Sequence, residues 1–416
     1  MDCSSSRPLA QHRVTAENAA LRSLPGVILP ARLLINAQFR IVYPFLPAIS
    51  RGLGLPLKST ALLVAIRAAV GATSPLYGYL SDRLGRKALM ILGLCALVIG
   101  AAMVALARSF GIALIAFGLL GLAKSSYDPA MQAYISDAVP YEQRGRALAI
   151  SEFSWAGSWL LGVPIAGFLM ARWGWHAPFA GIALVGLICI AGTWTLRESV
   201  RSASQCPAPA LSVDNPRSTR FNRALFSEVL APSAGVTLLA SALVILANEN
   251  LFLVYGAWME TRYALSLTNL GTASVVISLA ELVAAVTAAG VVDRLGKRRS
   301  LLGGLLLNAL AYFFLPLTSS RLSTALVGLV LVALTAEFSI VSAVPLISGI
   351  SINARGTVMA LNAALMCVAV IIASLVAPRL WEAGGLWLIA GASGASALGA
   401  ALLLWHGVKD SSLTSQ

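Results

Sequence analysis

Apolar runs of roughly 20 residues, the length needed to cross about 30 Å of hydrocarbon, recur along the chain with short polar breaks between them. Four of them, 88–107, 177–196, 300–320 and 356–378, hold no charged residue. The pattern predicts twelve spans, at 27–50, 60–80, 88–107, 110–134, 147–171, 177–196, 232–257, 266–290, 300–319, 322–349, 357–378 and 384–406. The expected fold is all-α and integral to the membrane. One polar stretch, 198–230, is long; its Pro207, Pro209 and Pro216 and its Arg201, Arg217, Arg220 and Arg223 read as a linker. It divides the spans six and six, so two six-helix bundles (27–197 and 231–408) are expected, with tails at 1–26 and 409–416.

Composition agrees with this reading. The chain is 58% hydrophobic and 11% charged, with a mean hydropathy of +0.82, whereas soluble domains carry about 25% charged residues. The net charge of +13 comes without a basic, aromatic-interleaved patch, so topology rather than nucleic acid accounts for it. Nineteen of the 30 Lys and Arg fall on the side shared by the termini, and seven (Arg51, Lys58, Arg108, Arg172, Arg262, Arg321 and Arg379) on the other. Both termini are therefore expected in the cytosol, the chain in the plasma membrane. Residues 1–26 are polar and lack the apolar core of a cleavable signal. The five cysteines (Cys3, Cys95, Cys189, Cys206, Cys367) show neither a CxxC nor metal-ligand spacing, so no metal or cofactor is expected. His12, His176 and His406 lie at span ends or in a tail, no nucleophile triad or phosphate loop appears, and the chain does not read as an enzyme.

The two halves repeat. Asp82-Arg83-Leu84-Gly85 returns as Asp293-Arg294-Leu295-Gly296 and Arg144-Gly145 as Arg355-Gly356, both 211 residues on, while Asn36 and Val42-Tyr43 return as Asn248 and Val254-Tyr255 at an offset of 212. Parallel repeats of this kind mark transporters built from two related halves.

The decapeptide after span 2, Gly78-Tyr79-Leu80-Ser81-Asp82-Arg83-Leu84-Gly85-Arg86-Lys87, packs a carboxylate, three cations and a helix-ending glycine into one turn. In a twelve-span chain with an echo after span 8, it resembles the signature of the major facilitator superfamily. The resemblance covers nearly the whole chain. It implies transport by alternating access, with Asp82 at the start of span 11 and Arg86 paired with Asp137 as a conformational latch. Gly78, Arg83, Gly85, Lys87, Arg144, Asp293, Arg294, Gly296 and Arg355 belong to the same pair of motifs. Ala289 stands at the counterpart of Gly78, so the second latch is expected to be weaker. Span 5 carries Gly157-Ser158-Trp159-Leu160-Leu161-Gly162-Val163-Pro164-Ile165-Ala166-Gly167, similar to the glycine and proline motif of the family's proton-coupled exporters except that Val163 separates Gly162 from Pro164. Close helix packing explains these residues equally well.

Ionisable groups inside spans are costly and line water-filled cavities or pair with other charges. Lys124 and Asp128 are four apart on one helix face, which allows an internal pair. Glu249, Glu281 and Glu337 have no cation within one turn of their own helices. Together with Asp128 and Glu152 they form the set from which a proton carrier is expected. Asn36, Arg40 and Tyr43 share one face of span 1, and Asn248, Phe252 and Tyr255 the matching face of span 7. These six, with Arg67 and Lys124, are candidates to line a solute cavity; interhelical hydrogen bonding or packing explains the Asn and Tyr pairs equally well. The expected activity is export of a small organic solute, drug-like or metabolite, in exchange for protons by a monomer in the lipid bilayer. Proton-coupled uptake of a sugar or metabolite, or sensing without transport, are the alternatives.

Overall fold

The computed structural model describes residues 24–139, 141–196, 232–350 and 355–407. The 198–230 linker and the far ends of both tails lie outside the described residues. The side chains of 141–146, Asp293 and Arg355 lie outside them too.

Among the described residues nine helices are long and apolar enough to cross a membrane, and ten when Leu57–Gly71 and Ser74–Leu84, bent by 46° across a short break, are one span. Leu29–Leu53 adds another: 25 residues are long enough at 1.5 Å each, though its arginines lower its hydropathy. The helix Arg355–Gly407 contains two spans, because Gly384 (φ −157°, ψ 17°) and Gly385 (φ 57°, ψ −143°) break its backbone. That makes twelve. The remaining spans are Arg86–Ala105, Phe110–Ala138, Tyr141–Gly157 continued by Val163–Trp173, Ala177–Trp194, Pro232–Tyr263, Leu267–Leu295, Lys297–Thr318 and Leu322–Ser348. Large apolar side chains such as Leu184, Ile188 and Trp194 stand exposed, as expected where lipid rather than water is the neighbour.

The turns repeat as the sequence does. Gly85 (φ 97°) and Gly296 (φ 88°) end the helices before spans 3 and 9 in a backbone conformation that a side chain would strain.

Two compact units emerge, Met1–Val42 with Thr73–Ser202, and Tyr43–Ala72 with Ala203–Gln416. The boundary differs from the sequence halves in one respect. The chain from Tyr43 to Ala72, comprising the second half of span 1 and the first helix of span 2, clusters with spans 7–12.

Candidate functional site

Within the first unit, spans 1, 4 and 5 bring their polar side chains into a closed ring. Lys124 Nζ lies 2.7 Å from Asp128 Oδ2 and donates to Asn36 Oδ1 at 2.7 Å. Asn36 Nδ2 donates to Ser154 Oγ at 3.1 Å, and Ser154 Oγ donates to the Ser151 carbonyl at 2.7 Å. Arg32 donates to Ser151 Oγ at 2.9 Å and to Glu152 Oε1 at 2.8 Å, and its Nε lies 3.6 Å from Asp128 Oδ1, which closes the ring. Asp128 is thus shared by two cations from different helices. It is 18% exposed and Lys124 24%, while Glu152 is 59% exposed, so the ring is most open at its Glu152 edge.

Local sequence sets this geometry. Pro129 lies inside the helix Phe110–Ala138 and has no N–H for the Ser125 carbonyl one turn back. The Ser74 hydroxyl donates to that carbonyl instead, at 3.3 Å. In span 5 the residues Ser158–Gly162 form a π-helical turn just before Pro164. Bonding from i to i+5 brings Gly157 and Gly162 onto one face, which the α period would not do. Both meet span 1: a Cβ on Gly162 would lie 2.8 Å from Ala37 Cβ, and one on Gly157 3.3 Å from Leu33 Cδ1. The glycines of this motif are therefore a packing seam that draws span 5 onto span 1.

That seam sets an aromatic shelf beside the ring. The Arg40 guanidinium stacks 3.8 Å from the Trp155 ring centre and 4.7 Å from that of Trp159. Lys124 Nζ lies 5.0 Å from Trp155 and 5.9 Å from Phe39, and the Phe39 and Trp155 rings are 6.1 Å apart.

In the decapeptide, Arg86 lies 2.5 Å from Asp82 Oδ1 and 3.1 Å from Asp137 Oδ2, and it also donates to Ser81 Oγ at 3.2 Å. Arg83 lies over the Tyr79 ring at 4.7 Å. Gly78 is half-buried. Lys87 is engaged otherwise: its Nζ donates to the carbonyls of Trp194 and Leu196 at 2.6 and 2.7 Å, the end of span 6. Arg298, 211 residues after Lys87, donates to the carbonyl of Trp405, 211 residues after Trp194, at 3.0 Å. Each half therefore closes the last turn of its sixth span with a cation, where unpaired carbonyls and the helix dipole favour one. Arg294 is exposed; the side chains of Arg144, Asp293 and Arg355 lie outside the described residues.

The sequence profile of the Major Facilitator Superfamily matches residues 28–236 and 237–415. The chain belongs to the major facilitator superfamily. It is 29% identical over 305 residues to YceJ of Bacillus subtilis (strain 168), an uncharacterized MFS-type transporter, covering 73% of this chain and 75% of that one. It is 25% identical over 244 residues to the class C tetracycline resistance protein of Escherichia coli, covering 58% and 59%. In fold it matches a D-xylose-proton symporter with a TM-score of 0.78 at 18% identity, over 95% of this chain and 100% of the other. The architecture is that of major facilitator transporters, twelve membrane helices in two related halves.

Other candidates of this major facilitator chain lie in the second unit. Arg67 is 1% exposed and sits over the Tyr43 ring at 5.6 Å. Phe252 and Tyr255 are buried with ring centres 6.3 Å apart, and Asn248 is half-buried. Glu249, Glu281 and Glu337 are half-buried, and each has a bonding or electrostatic partner in the structure. The absence of a cation within one turn of their own helices therefore does not leave these carboxylates without partners. Among the described residues no three His, Cys, Asp or Glu side chains group as metal ligands would.

At the end of span 1 opposite its start, spans 1 and 7 touch. A Cβ on Gly256 would lie 2.0 Å from the Pro44 carbonyl oxygen and 3.1 Å from Pro47 Cδ. Pro44 and Gly256 are 212 residues apart, so repeat-related positions meet each other. One turn on, Arg51 binds both oxygens of Glu260 at 2.6 and 3.2 Å.

Sequence reasoning missed Arg32, Ser151, Ser154 and Trp155 as site residues, and it missed the far-side contact. A signal for Arg32 was present: it precedes Asn36 by four residues and Arg40 by eight, one helix face.

Proposed function

We propose that the chain is a secondary active transporter that exports a small organic solute in exchange for protons by alternating access. The observation that carries this reading is Asp128, held inside span 4 by Lys124 and Arg32 at 2.7 and 3.6 Å beside an aromatic shelf. A proton on Asp128 removes the charge both cations bind and so loosens spans 1, 4 and 5 from one another; Glu152, more exposed and bound to Arg32, is the proton's way in. Glu249, Glu281 and Glu337 are secondary carriers. The similarity to a tetracycline resistance protein supports export of a drug-like or metabolite solute.

The charge bias of nineteen Lys and Arg against seven supports termini in the cytosol, and this reading puts the chain in the plasma membrane. The contacts of Arg86 with Asp82 and Asp137 support the decapeptide as the latch on that side, with Gly296 and Arg294 in the second copy. The protein acts as a monomer of two bundles, 27–197 and 231–408.

The test is reconstitution into liposomes with a pH-sensitive dye inside. Adding a transported solute, with tetracycline as the first trial, should move protons in the direction opposite to the solute, and a proton gradient should drive accumulation. Asp128→Asn is expected to uncouple the two. Solute binding without flux, or full coupling in Asp128→Asn/Glu152→Gln, refutes the proposal.

A further inference from the structure

The ammonium of Lys124 occupies a cage. Two oxygens, Asp128 Oδ2 and Asn36 Oδ1, each lie 2.7 Å from Nζ, and two aromatic rings, Trp155 and Phe39, lie 5.0 and 5.9 Å from it. Carboxylate, amide oxygen and π faces are the groups that bind an organic ammonium ion.

The walls are held by residues other than Lys124. Arg32, anchored to Ser151 and Glu152, places its Nε 3.6 Å from the second oxygen of Asp128, an ion pair without a hydrogen bond. Ser154 takes the Asn36 amide N–H and leaves its oxygen toward the cage. Arg40 stacks on Trp155 at 3.8 Å. Lys124 is the movable member: its ammonium ends a flexible four-carbon stem, and the side chain is 24% exposed, so it can swing aside while the bonds of Arg32 to Ser151 and Glu152 and of Asn36 to Ser154 stay in place. The exposed Glu152 places a second carboxylate near the opening.

We infer that the cage is the solute site, that the solute is an organic ammonium ion with an aromatic or apolar body, and that Lys124 is the built-in occupant it displaces. The inference rests on the transporter reading above and supplies its exchange rule. A solute cation and a proton both need the charge of Asp128, so they exclude each other, while Lys124 covers that charge when neither is bound.

The test uses the whole chain in nanodiscs, following tryptophan fluorescence with phenethylammonium, its neutral isostere propylbenzene, and benzoate. The ammonium probe should bind, the neutral isostere about tenfold more weakly, and benzoate not measurably. Lys124→Met should tighten ammonium binding about tenfold, because the competitor is gone. Asp128→Asn should abolish it. Trp155→Leu should weaken the ammonium probe more than the neutral one, a difference that general loosening of the site would not produce. Equal binding of the isostere, preferred binding of benzoate, or weaker ammonium binding in a Lys124→Met protein that remains monodisperse overturns the inference. The two readings fail separately. Proton-driven flux of a neutral solute without ammonium binding removes the cage and keeps the transporter; ammonium binding without flux of any solute does the reverse.

Discussion

The contact of Gly256 with Pro44 admits a quantitative test of whether the ends of spans 1 and 7 form a moving closure. With the termini cytosolic, as proposed, this contact lies on the outer face. In Gly256→Val the new Cβ would sit 2.0 Å from the Pro44 carbonyl oxygen, whereas ordinary contact begins at 3.4 Å. The backbones must part by roughly the difference, 1.4 Å, and the bond from Arg51 to Glu260 Oε1, 3.2 Å long at rest, cannot survive that shift unchanged. Overpacking of this kind costs about 1–3 kcal/mol. The cost falls only on the arrangement in which the two spans touch, so the open population should rise by about 5- to 150-fold. A Ser50→Cys reporter, buried at 7% exposure, in a background with the five native cysteines replaced by serine, reads this directly. Its labelling rate with a membrane-impermeant maleimide from outside should rise by that factor. Gly235→Val, where a Cβ meets nothing within 4 Å, is the control. An unchanged rate in a well-folded Gly256→Val protein refutes the idea that this contact opens during the cycle.

Three further outcomes are expected. A double-mutant cycle of Lys124→Met and Asp128→Asn should show a coupling of about 1–2 kcal/mol in unfolding experiments, between exposed and buried ion pairs; additive effects would deny the pair its role in the ring. Lys87→Met should destabilise by about 0.5–1 kcal/mol through the end of span 6, and Arg298→Met by less, because Lys87 makes two such bonds and Arg298 one; thermal unfolding in detergent ranks them. Gly162→Ala should lose stability because its Cβ falls 2.8 Å from that of Ala37, and adding Ala37→Gly should restore it; no rescue would show that span 5 is not seated on span 1 there.

What the sequence made legible follows physical range. Spans, turns and the repeat are local or periodic, so hydropathy and the 211-residue offset reached them, including the positive-φ glycines Gly85 and Gly296. Lys124 and Asp128 were legible because i and i+4 fix a contact on one helix. Arg32 with Glu152 is a contact across 120 residues, and Arg51 with Glu260 one across 209; neither follows from any spacing. The Gly157 and Gly162 seam was hidden for another reason. Five residues do not return to the same face of an α-helix, and only the π turn at Ser158–Gly162 aligns them. The span 11 and 12 pair shows the opposite case, where hydropathy separated two spans that remain one continuous helical run except at Gly384 and Gly385.

The repeat sharpens the reading of the ring, because its second copy is uncharged. At the repeat offsets, Lys124 corresponds to Thr335, Asp128 to Ser339, Arg32 to Val244 and Arg40 to Phe252, while Asn36 corresponds to Asn248. In the second half, Thr335 accepts a hydrogen bond from Asn308 at 3.0 Å, and Ser339 bonds back to its own helix at 2.8 Å. Ordinary hydroxyl pairing therefore suffices to hold span 10 in place, and the same fold position does not require ions for packing. Ion pairs in a membrane interior carry a desolvation cost that hydroxyl pairs avoid. The charges of the first half are thus more than the helices need to pack, and the proposed exchange of a proton or a solute cation at Asp128 would give them a use.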